Sequence, residues 1–328
     1  YATDPLLDRR IQPFEAAPNS GKRVAVVGAG PAGLSCAHRL AVLGHNVTIF
    51  ESRDEPGGLN EYGLAAYKML NDRAAREVAF ILDIGNINVE TGKRLGSDCS
   101  LDELRREYDA VFIGLGQNAV NALGIENEDV TGVHNAVDYI ERIRQEDLAG
   151  IPVGRQVVVI GAGNTAIDMA VQIKKLGAES VTMVYRRGFA EMGATDYEQQ
   201  VAQTNGVLIK TQARPLRLLT ENDQLVAVEF EYTKKDENDQ YVGTGETFTL
   251  PTDQVFKAIG QALDMTPFDG SDTPELIGRR IKVDEHQRTS LPDVWAGGDC
   301  TPGLDLTVAA VQDGKIAAIN INEYLNHG

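Results

Sequence analysis

One segment occurs twice in this sequence, and that duplication limits the fold more than any other feature. Residues 23–51, RVAVVGAGPAGLSCAHRLAVLGHNVTIFE, read as an apolar strand, a glycine turn, a helix and a second strand. Pro31 suits the first helical turn, Leu34, Ala37, Leu40 and Ala41 share one helix face, and Gly44 suits the helix end. Residues 156–187, QVVVIGAGNTAIDMAVQIKKLGAESVTMVYRR, repeat the design with the helix ending at Gly177. Such a unit belongs in a helix-covered parallel sheet, so the duplication predicts an α/β chain with two Rossmann-like domains.

The glycines state what the turns are for. In GAGPAG, residues 28–33, Gly28 permits the tight turn, Gly30 lets a pyrophosphate approach the backbone, and Gly33 lets helix and strand pack closely. The free N–H groups of the helix start, around Pro31 and Ala32, suit a phosphate anion. Glu51 ends the second strand, placed to accept hydrogen bonds from both hydroxyls of an adenosine ribose. GAGNTA, residues 161–166, is the same device with Ala166 in the third glycine position, but its strand ends on Tyr185, Arg186 and Arg187. An acid there holds a 2′-hydroxyl and repels a 2′-phosphate, whereas two arginines attract that phosphate through charge-assisted hydrogen bonds. Two cradles imply two dinucleotides, the second of them NADP(H). The competing reading of Arg186 and Arg187 is a solvated surface pair or a salt bridge to nearby acids.

Between and after the two units, residues 72–82 read as a helix and YDAVFIGLG, 108–116, as a buried strand ending in a glycine turn. TDQVFKAIGQ, 252–261, resembles the latter; LPDVWAGGDC, 291–300, is a strand running into a turn; 305–322 carries a strong helical pattern. From about 207 to 250 the pattern is that of β-hairpins, with KKDENDQ, 234–240, as a polar turn. No stretch is long or polar enough for a disordered linker.

Composition removes several classes of function. A chain of 328 residues with 42% hydrophobic residues and 33 glycines fits a turn-rich α/β protein, and a net charge of −17 repels nucleic acid and anionic membrane surfaces. Cys36, Cys99 and Cys300 are widely separated, with no C-x-x-C, which argues against a disulfide framework and against a zinc or cluster site within this chain. Cys36 reads as a core residue, and the five histidines show no metal spacing. No apolar run approaches the roughly 20 residues needed to cross a bilayer and no signal peptide opens the chain, so the cytoplasm is the expected location. The start at Tyr1, without methionine, is read as an excised piece of a longer protein.

The order GAGPAG, Glu51, PGGL (56–59), GAGNTA, YRR (185–187) and VWAGGD (294–299) resembles the flavoproteins with two dinucleotide-binding domains, in the branch of the dihydropyrimidine dehydrogenases and the glutamate synthase small subunits. The similarity covers about residues 20–326. It implies FAD in the first cradle, NADPH in the second with NADH as the alternative, and an NAD(P)H domain inserted into the FAD domain. The corresponding boundaries are an extension over 1–21, an FAD domain over 22–117 plus 258–328, and an NAD(P)H domain over 118–257. By the same resemblance Gly28, Gly30, Pro31, Ala32, Gly33, Glu51, Gly58 and Leu59 surround the FAD adenosine and pyrophosphate. Asp299, next to Gly298, matches the acid bound to the ribityl chain, and Thr307 with Val308 matches a helix start beneath the flavin ring. Ala162, Gly163, Asn164, Thr165, Arg186, Arg187, Ala258 and Gly260 match the NADP side. A helix N-terminus under the ring would stabilise the anion formed as the flavin is reduced.

Two departures from the family pattern narrow the branch. YGLAAYKML, 62–70, lacks both prolines and the arginine of the more usual Y-G-I-P-x-F-R-L-P, with Lys68 in the arginine's place, and EYGLAAYK is similar to flavin subunits of bacterial dihydropyrimidine dehydrogenases. MGA, 192–194, replaces a more usual Met-Pro-Ala. Relatives also carry an N-terminal cysteine-rich domain with [4Fe-4S] clusters, each needing about four ligands. Three scattered cysteines cannot supply them, so the clusters are expected in a missing domain or a partner. The function implied is hydride transfer from NADPH to FAD, then electron delivery to iron-sulfur clusters and an FMN-containing catalytic subunit that reduces uracil or thymine. The alternatives are a glutamate synthase small subunit and a non-catalytic NADP(H)-sensing flavoprotein. No catalytic side chain, metal, nucleic acid or membrane is called for, because the cofactors carry the chemistry.

Overall fold

Each duplicated segment becomes the centre of a five-stranded parallel sheet in a computed structural model that describes residues 4–268 and 272–327. Two compact units result. The first takes the chain through Glu61, Met69–Ala119, and from Ala262 onward; the second takes Tyr62–Lys68 and Val120–Gln261.

In the first unit the strand Arg23–Val27 lies between Asn46–Phe50 on one side and Ala110–Ile113 on the other. Ile87–Glu90 and Val294–Ala296 add the two edges, and every pairing is parallel. Parallel strands covered on both faces need unbroken apolar side chains, and Val24, Ala25, Val26 and Val27 are all buried. The second unit repeats the plan around Gln156–Ile160, flanked by Ser180–Val184 and Gln254–Lys257, with Leu208–Lys210 and Val133–Asn135 at the edges. In both, the strand order reverses beside the central strand, and that switch point is where an open parallel sheet presents a crevice.

The helix after each turn ends as its sequence implies. Gly44 and Gly177 take positive φ, and the next residue closes the helix end: His45 N–H donates to Leu40 O at 3.0 Å, and Ala178 N–H to Ile173 O at 3.2 Å. The first glycine helix, Pro31–Val42, packs against the C-terminal helix, Thr307–His327. A Cβ at Gly314 would lie 2.1 Å from Ala32 O, so only glycine lets the two backbones meet. The first unit also holds the short helix Asp4–Arg9, tied to the helix Arg73–Leu82 by Arg73–Asp4 and Arg76–Asp8 ion pairs.

The hairpin region is an antiparallel three-stranded sheet of Ala213–Glu221, Gln224–Lys235 and Tyr241–Pro251 in the second unit. Asn222 and Asp223, both at positive φ, make its first turn; in the polar second turn Asp236 accepts from the backbone of Asn238 and Gln240. Among the described residues no helix is long and apolar enough to cross a membrane.

Candidate functional site

Two of the three glycines in the first turn are demanded by the protein itself. Gly28 has φ +98°, and its Cβ would strike Gly114 O at 2.4 Å; a Cβ on Gly33 would strike Gly28 O at 1.9 Å. Gly30 is different, since its Cβ would meet only Gly58 Cα at 3.9 Å. It precedes Pro31 at a helix start with no side-chain cap, so the space above it is bounded by unsatisfied N–H groups. Gly58, at φ +57°, faces it so closely that a Cβ would fall 2.7 Å from Gly30 Cα, and Gly57 N–H ties the loop to Ala29 O at 2.8 Å.

Glu51 has a task that its sequence position did not disclose. Only 6% exposed, it accepts from Ala29 N–H at 2.7 Å through one oxygen and from Arg53 N–H at 2.9 Å through the other, fastening the glycine turn to the strand end. A carboxylate offers about four acceptor positions, so capacity remains beyond these bonds.

The other first-unit candidates gather around the same turn. A Cβ on Gly298, at φ +77°, would lie 3.0 Å from Ala32 Cβ, and the Gly298 N–H is held by Asp313 at 3.0 Å. Burial holds the Asp299 carboxyl above the usual range, with Asp305 adding and Arg280 opposing. Thr307 opens the C-terminal helix and bonds Asn60 at 3.1 Å, which joins that helix start to the loop carrying Gly58 and the half-buried Leu59. Val308 beside it is 74% exposed.

The second turn repeats the strand-to-turn backbone bonds of the first. Gly161 N–H donates to Val184 O at 3.0 Å as Gly28 N–H does to Phe50 O at 2.8 Å, and a Cβ on Gly161 would strike Ala258 O at 2.1 Å. Ala258 thus stands where Gly114 stands in the first unit. Gly260, at φ +90°, follows and accepts from Asn121 N–H. Gly163 precedes the helix Asn164–Lys175 without a side-chain cap, and a Cβ there would meet nothing within 4 Å. Asn164 is exposed, Thr165 half-buried, and Ala166 fully buried in the third glycine position. Arg186 and Arg187 are exposed, and their guanidinium groups make no ion pair among the described residues; only their backbone carbonyls are used, by Thr233 Oγ1 and Gln212 N–H. The salt-bridge reading of the pair therefore fails, while solvated or ligand-binding roles remain.

A cluster that the motifs did not announce lies in the second unit. Lys68 Nζ stands 2.6 Å from Asp168 and 2.9 Å from Glu198, and Tyr67 donates to the same Asp168 oxygen at 3.0 Å. Asp168 is 2% exposed, and burial raises its carboxyl above the usual range despite the Lys68 and Tyr67 bonds. Burial acts to lower the Lys68 ammonium, but bonds to both acids outweigh it and the net direction is up. The sequence signal was an aspartate between apolar neighbours in NTAIDMA.

The thiols stand apart from any reactive arrangement. All three are free; Cys36 and Cys300 are fully buried, and burial pushes the Cys300 thiol up to about 11. Among the described residues no group of His, Cys, Asp or Glu is placed to hold a metal ion.

A family model described as pyridine nucleotide-disulphide oxidoreductase matches residues 22–314. The chain is 37% identical to the NADP(+)-dependent formate dehydrogenase subunit beta of Moorella thermoacetica, over 94% of this chain but 45% of that subunit, so it spans less than half the relative's length. It is 31% identical to the glutamate synthase [NADPH] small chain of Escherichia coli, over 99% of this chain and 73% of the other. It is 32% identical to the NAD-dependent dihydropyrimidine dehydrogenase subunit PreT of Salmonella typhimurium, over 99% and 74%. Among solved structures, Mycobacterium tuberculosis FprA in complex with NADPH shares the fold, with a TM-score of 0.76 over 94% of this chain and 85% of that one, at 18% identity.

Proposed function

We propose that this chain, which belongs to the pyridine nucleotide-disulphide oxidoreductase family, is an electron-input module that takes reducing equivalents from NADPH into FAD and passes electrons to iron-sulfur clusters on a partner domain or subunit. Bound together, the two cofactors supply hydride transfer and release of electrons singly, so the protein need only bind, orient and shield them. Its own residues suit that task. The turn around Gly30 offers N–H groups and room for a diphosphate, and a helix of 21 residues opens at Thr307, where its dipole favours negative charge. Arg186 and Arg187 are free to hold a 2′-phosphate, and Tyr185 replaces the acid that would repel it.

The contrast between the two strand ends carries this reading: a buried carboxylate bound into the first turn, and beside the second two guanidinium groups without an ion pair among the described residues. Dihydropyrimidine dehydrogenase is the preferred assembly, with uracil or thymine reduced on an FMN-containing partner. Identity at 31% and 32% does not separate it from glutamate synthase, but the segment EYGLAAYK supports it. The three free cysteines are too few for a cluster, so the clusters belong to other polypeptide.

The test is an anaerobic titration of the flavin-loaded protein with NADPH and NADH, repeated on an Arg186→Ala, Arg187→Ala double variant. NADPH should bleach the flavin; a flavin left oxidised at saturating NADPH would instead mark a sensing protein. Two exposed, screened charge-assisted contacts are worth about 2 kcal/mol together, so NADPH affinity should fall about thirtyfold while NADH is unchanged. Equal losses for the two nucleotides would remove the assignment of the second cradle.

A further inference from the structure

We propose that the trough between the helices Pro31–Val42, Arg73–Leu82 and Thr307–His327 binds an aliphatic carboxylate, its head between Arg39 and Lys315 and its chain over the apolar floor. All of the trough lies within the first unit, and the site requires neither nucleotide reading.

Helical spacing builds the trough. Leu34, His38 and Val42 stand one turn apart along the first helix, Val78 and Ile81 line it from the second, and Val311 lies alongside on the third. The segment before the first strand closes the far side. Gln12 Nε2 donates to Phe80 O at 2.9 Å and Ala17 N–H to Val42 O at 3.0 Å, so Phe14 is held between two helices, its ring edge-on to His38 with centroids 5.1 Å apart. The cavity measures about 440 Å³, within the roughly 300–1,000 Å³ of small-molecule sites, and its wall is mainly hydrocarbon. Phe14 and Val311, 47% and 42% exposed, leave apolar surface open to an occupant.

The charges stand together. Ser35 Oγ donates to Val311 O at 2.7 Å, and further along His45 Nε2 meets Asn322 Oδ1 at 3.0 Å, so the two helices run in the same direction. Arg39 and Lys315, each one turn beyond the first of these contacts, therefore stand at the same level on adjoining helices. Neither makes an ion pair among the described residues, although the chain carries a net charge of −17. Glu77, which also lines the trough, is taken by Arg73 at 3.0 Å, and Asp313 by Gly298 N–H at 3.0 Å. Two cations side by side repel, and an anion between them relieves both. Two polar atoms ask for the same partner: Arg39 Nε and His38 Nε2 are buried without a hydrogen bond among the described residues, a costly and uncommon condition. Burial, with Arg39 adding, holds the His38 imidazole below its usual range, so the ring is neutral at pH 7 and can present a donor nitrogen. A carboxylate accepts from several donors at once, and the hydrocarbon floor leading away from it suits an alkyl chain. The occupant is a free molecule and not a lipid in a bilayer, because a chain of this charge is repelled by anionic membrane.

Octanoate is the probe, with octanol lacking the charge and acetate lacking the chain, each titrated by calorimetry into the protein with and without flavin. Octanoate should bind at about one per chain, octanol about tenfold more weakly, and acetate not measurably. In an Arg39→Gln, Lys315→Gln double variant octanoate should weaken about tenfold, to the level of octanol, while octanol is unchanged. Val311→Glu, at an exposed position that would set an acid in the trough, should also weaken octanoate, with the melting temperature of both variants near wild type, as for surface substitutions generally. Wild-type octanoate affinity in the double variant would overturn the proposal, and so would an equal loss of octanol, which marks a collapse of the trough. Absence of octanoate binding would also overturn it and leave the trough to a polypeptide. Binding that disappears when flavin is loaded would assign the trough to the flavin site, and binding to phosphatidylglycerol vesicles without free octanoate would mark a membrane contact; either result refutes the carboxylate site.

Discussion

Replacing Lys68 by methionine tests what holds Tyr62–Lys68 to the second unit. The ammonium lies 2.6 Å from a carboxylate that is 2% exposed, and its removal leaves Asp168 with only the Tyr67 hydroxyl. Breaking a buried pair by deleting one partner costs about 3–5 kcal/mol, and the 24% exposure of the Lys68 side chain places this case near the lower end, about 3 kcal/mol. For a unit of about 150 residues, the size of the second unit, that corresponds to a fall in its melting temperature of about 6–12 °C. The pH dependence fixes the cause. Burial already raises the Asp168 carboxyl above its unfolded value, and loss of the ammonium raises it further. A carboxyl whose folded pKa is raised contributes stability below its unfolded pKa and loses it as pH rises through the folded value. The deficit of Lys68→Met should therefore be largest near pH 7.5 and shrink as the pH is lowered toward 5. Adding Asp168→Asn should recover about 2 kcal/mol of it, because the uncompensated charge is gone. Urea melts at the two pH values measure all of this. A deficit below about 1 kcal/mol, or one independent of pH, would refute the claim that this ion pair is the anchor.

Two further outcomes follow from the glycines and the thiols. Gly30→Ala should fold, since its Cβ has room, yet lose flavin on desalting; Gly33→Ala, whose Cβ would sit 1.9 Å from Gly28 O, should lose stability as well, and calorimetry with flavin content separates the two. With Cys36 and Cys300 at 0% exposure, a disulfide reagent should modify at most Cys99 in the native protein and all three thiols after denaturation. Because burial holds Cys300 at about 11, raising the pH from 7 to 9 should not unmask it; rapid native reaction of two thiols would contradict this arrangement.

The parts legible in the sequence are those fixed by local geometry. Gly28, Gly44, Gly161 and Gly177 adopt positive φ, and Pro31 begins a helix, so these residues announce turns and ends wherever the chain goes. The helix Leu101–Glu107 could have been found from the same kind of signal: Ser100 and Glu103 form a capping box that is visible as S-x-x-E. The helix Ala136–Gln145 was legible too, since Ala136, Tyr139, Ile140 and Ile143 form an apolar stripe at helical spacing, whereas Asp196–Thr204 gave less, with Ala202 its one buried residue. The placement of Tyr62–Lys68 in the second unit was beyond local reading, because it depends on a pair between Lys68 and a residue 100 positions later, Asp168.

The exchange of Glu51 for Tyr185 at the two strand ends changes more than charge. In the first unit the acid occupies Ala29 N–H, so that donor serves the protein. In the second no carboxylate among the described residues reaches Ala162 N–H, and the Tyr185 hydroxyl turns away to Glu191 O, bracing the loop after the strand. One substitution thus removes a negative charge, releases a backbone donor into the turn, and converts the side chain into a brace for that loop. Arg186 and Arg187 then add two exposed cations at its start. All four consequences favour a ligand with more negative charge than the first turn could accept, which is what an extra phosphate on the ribose supplies. An arginine pair grafted beside Glu51 would lack three of the four, so the two strand ends should not be interchangeable by charge alone. The substitution Ser52→Arg, which sets a second cation next to Arg53, should leave the first turn without measurable preference for a 2′-phosphate, as read by 2′-AMP titration; a clear gain in 2′-AMP affinity would show that charge by itself suffices.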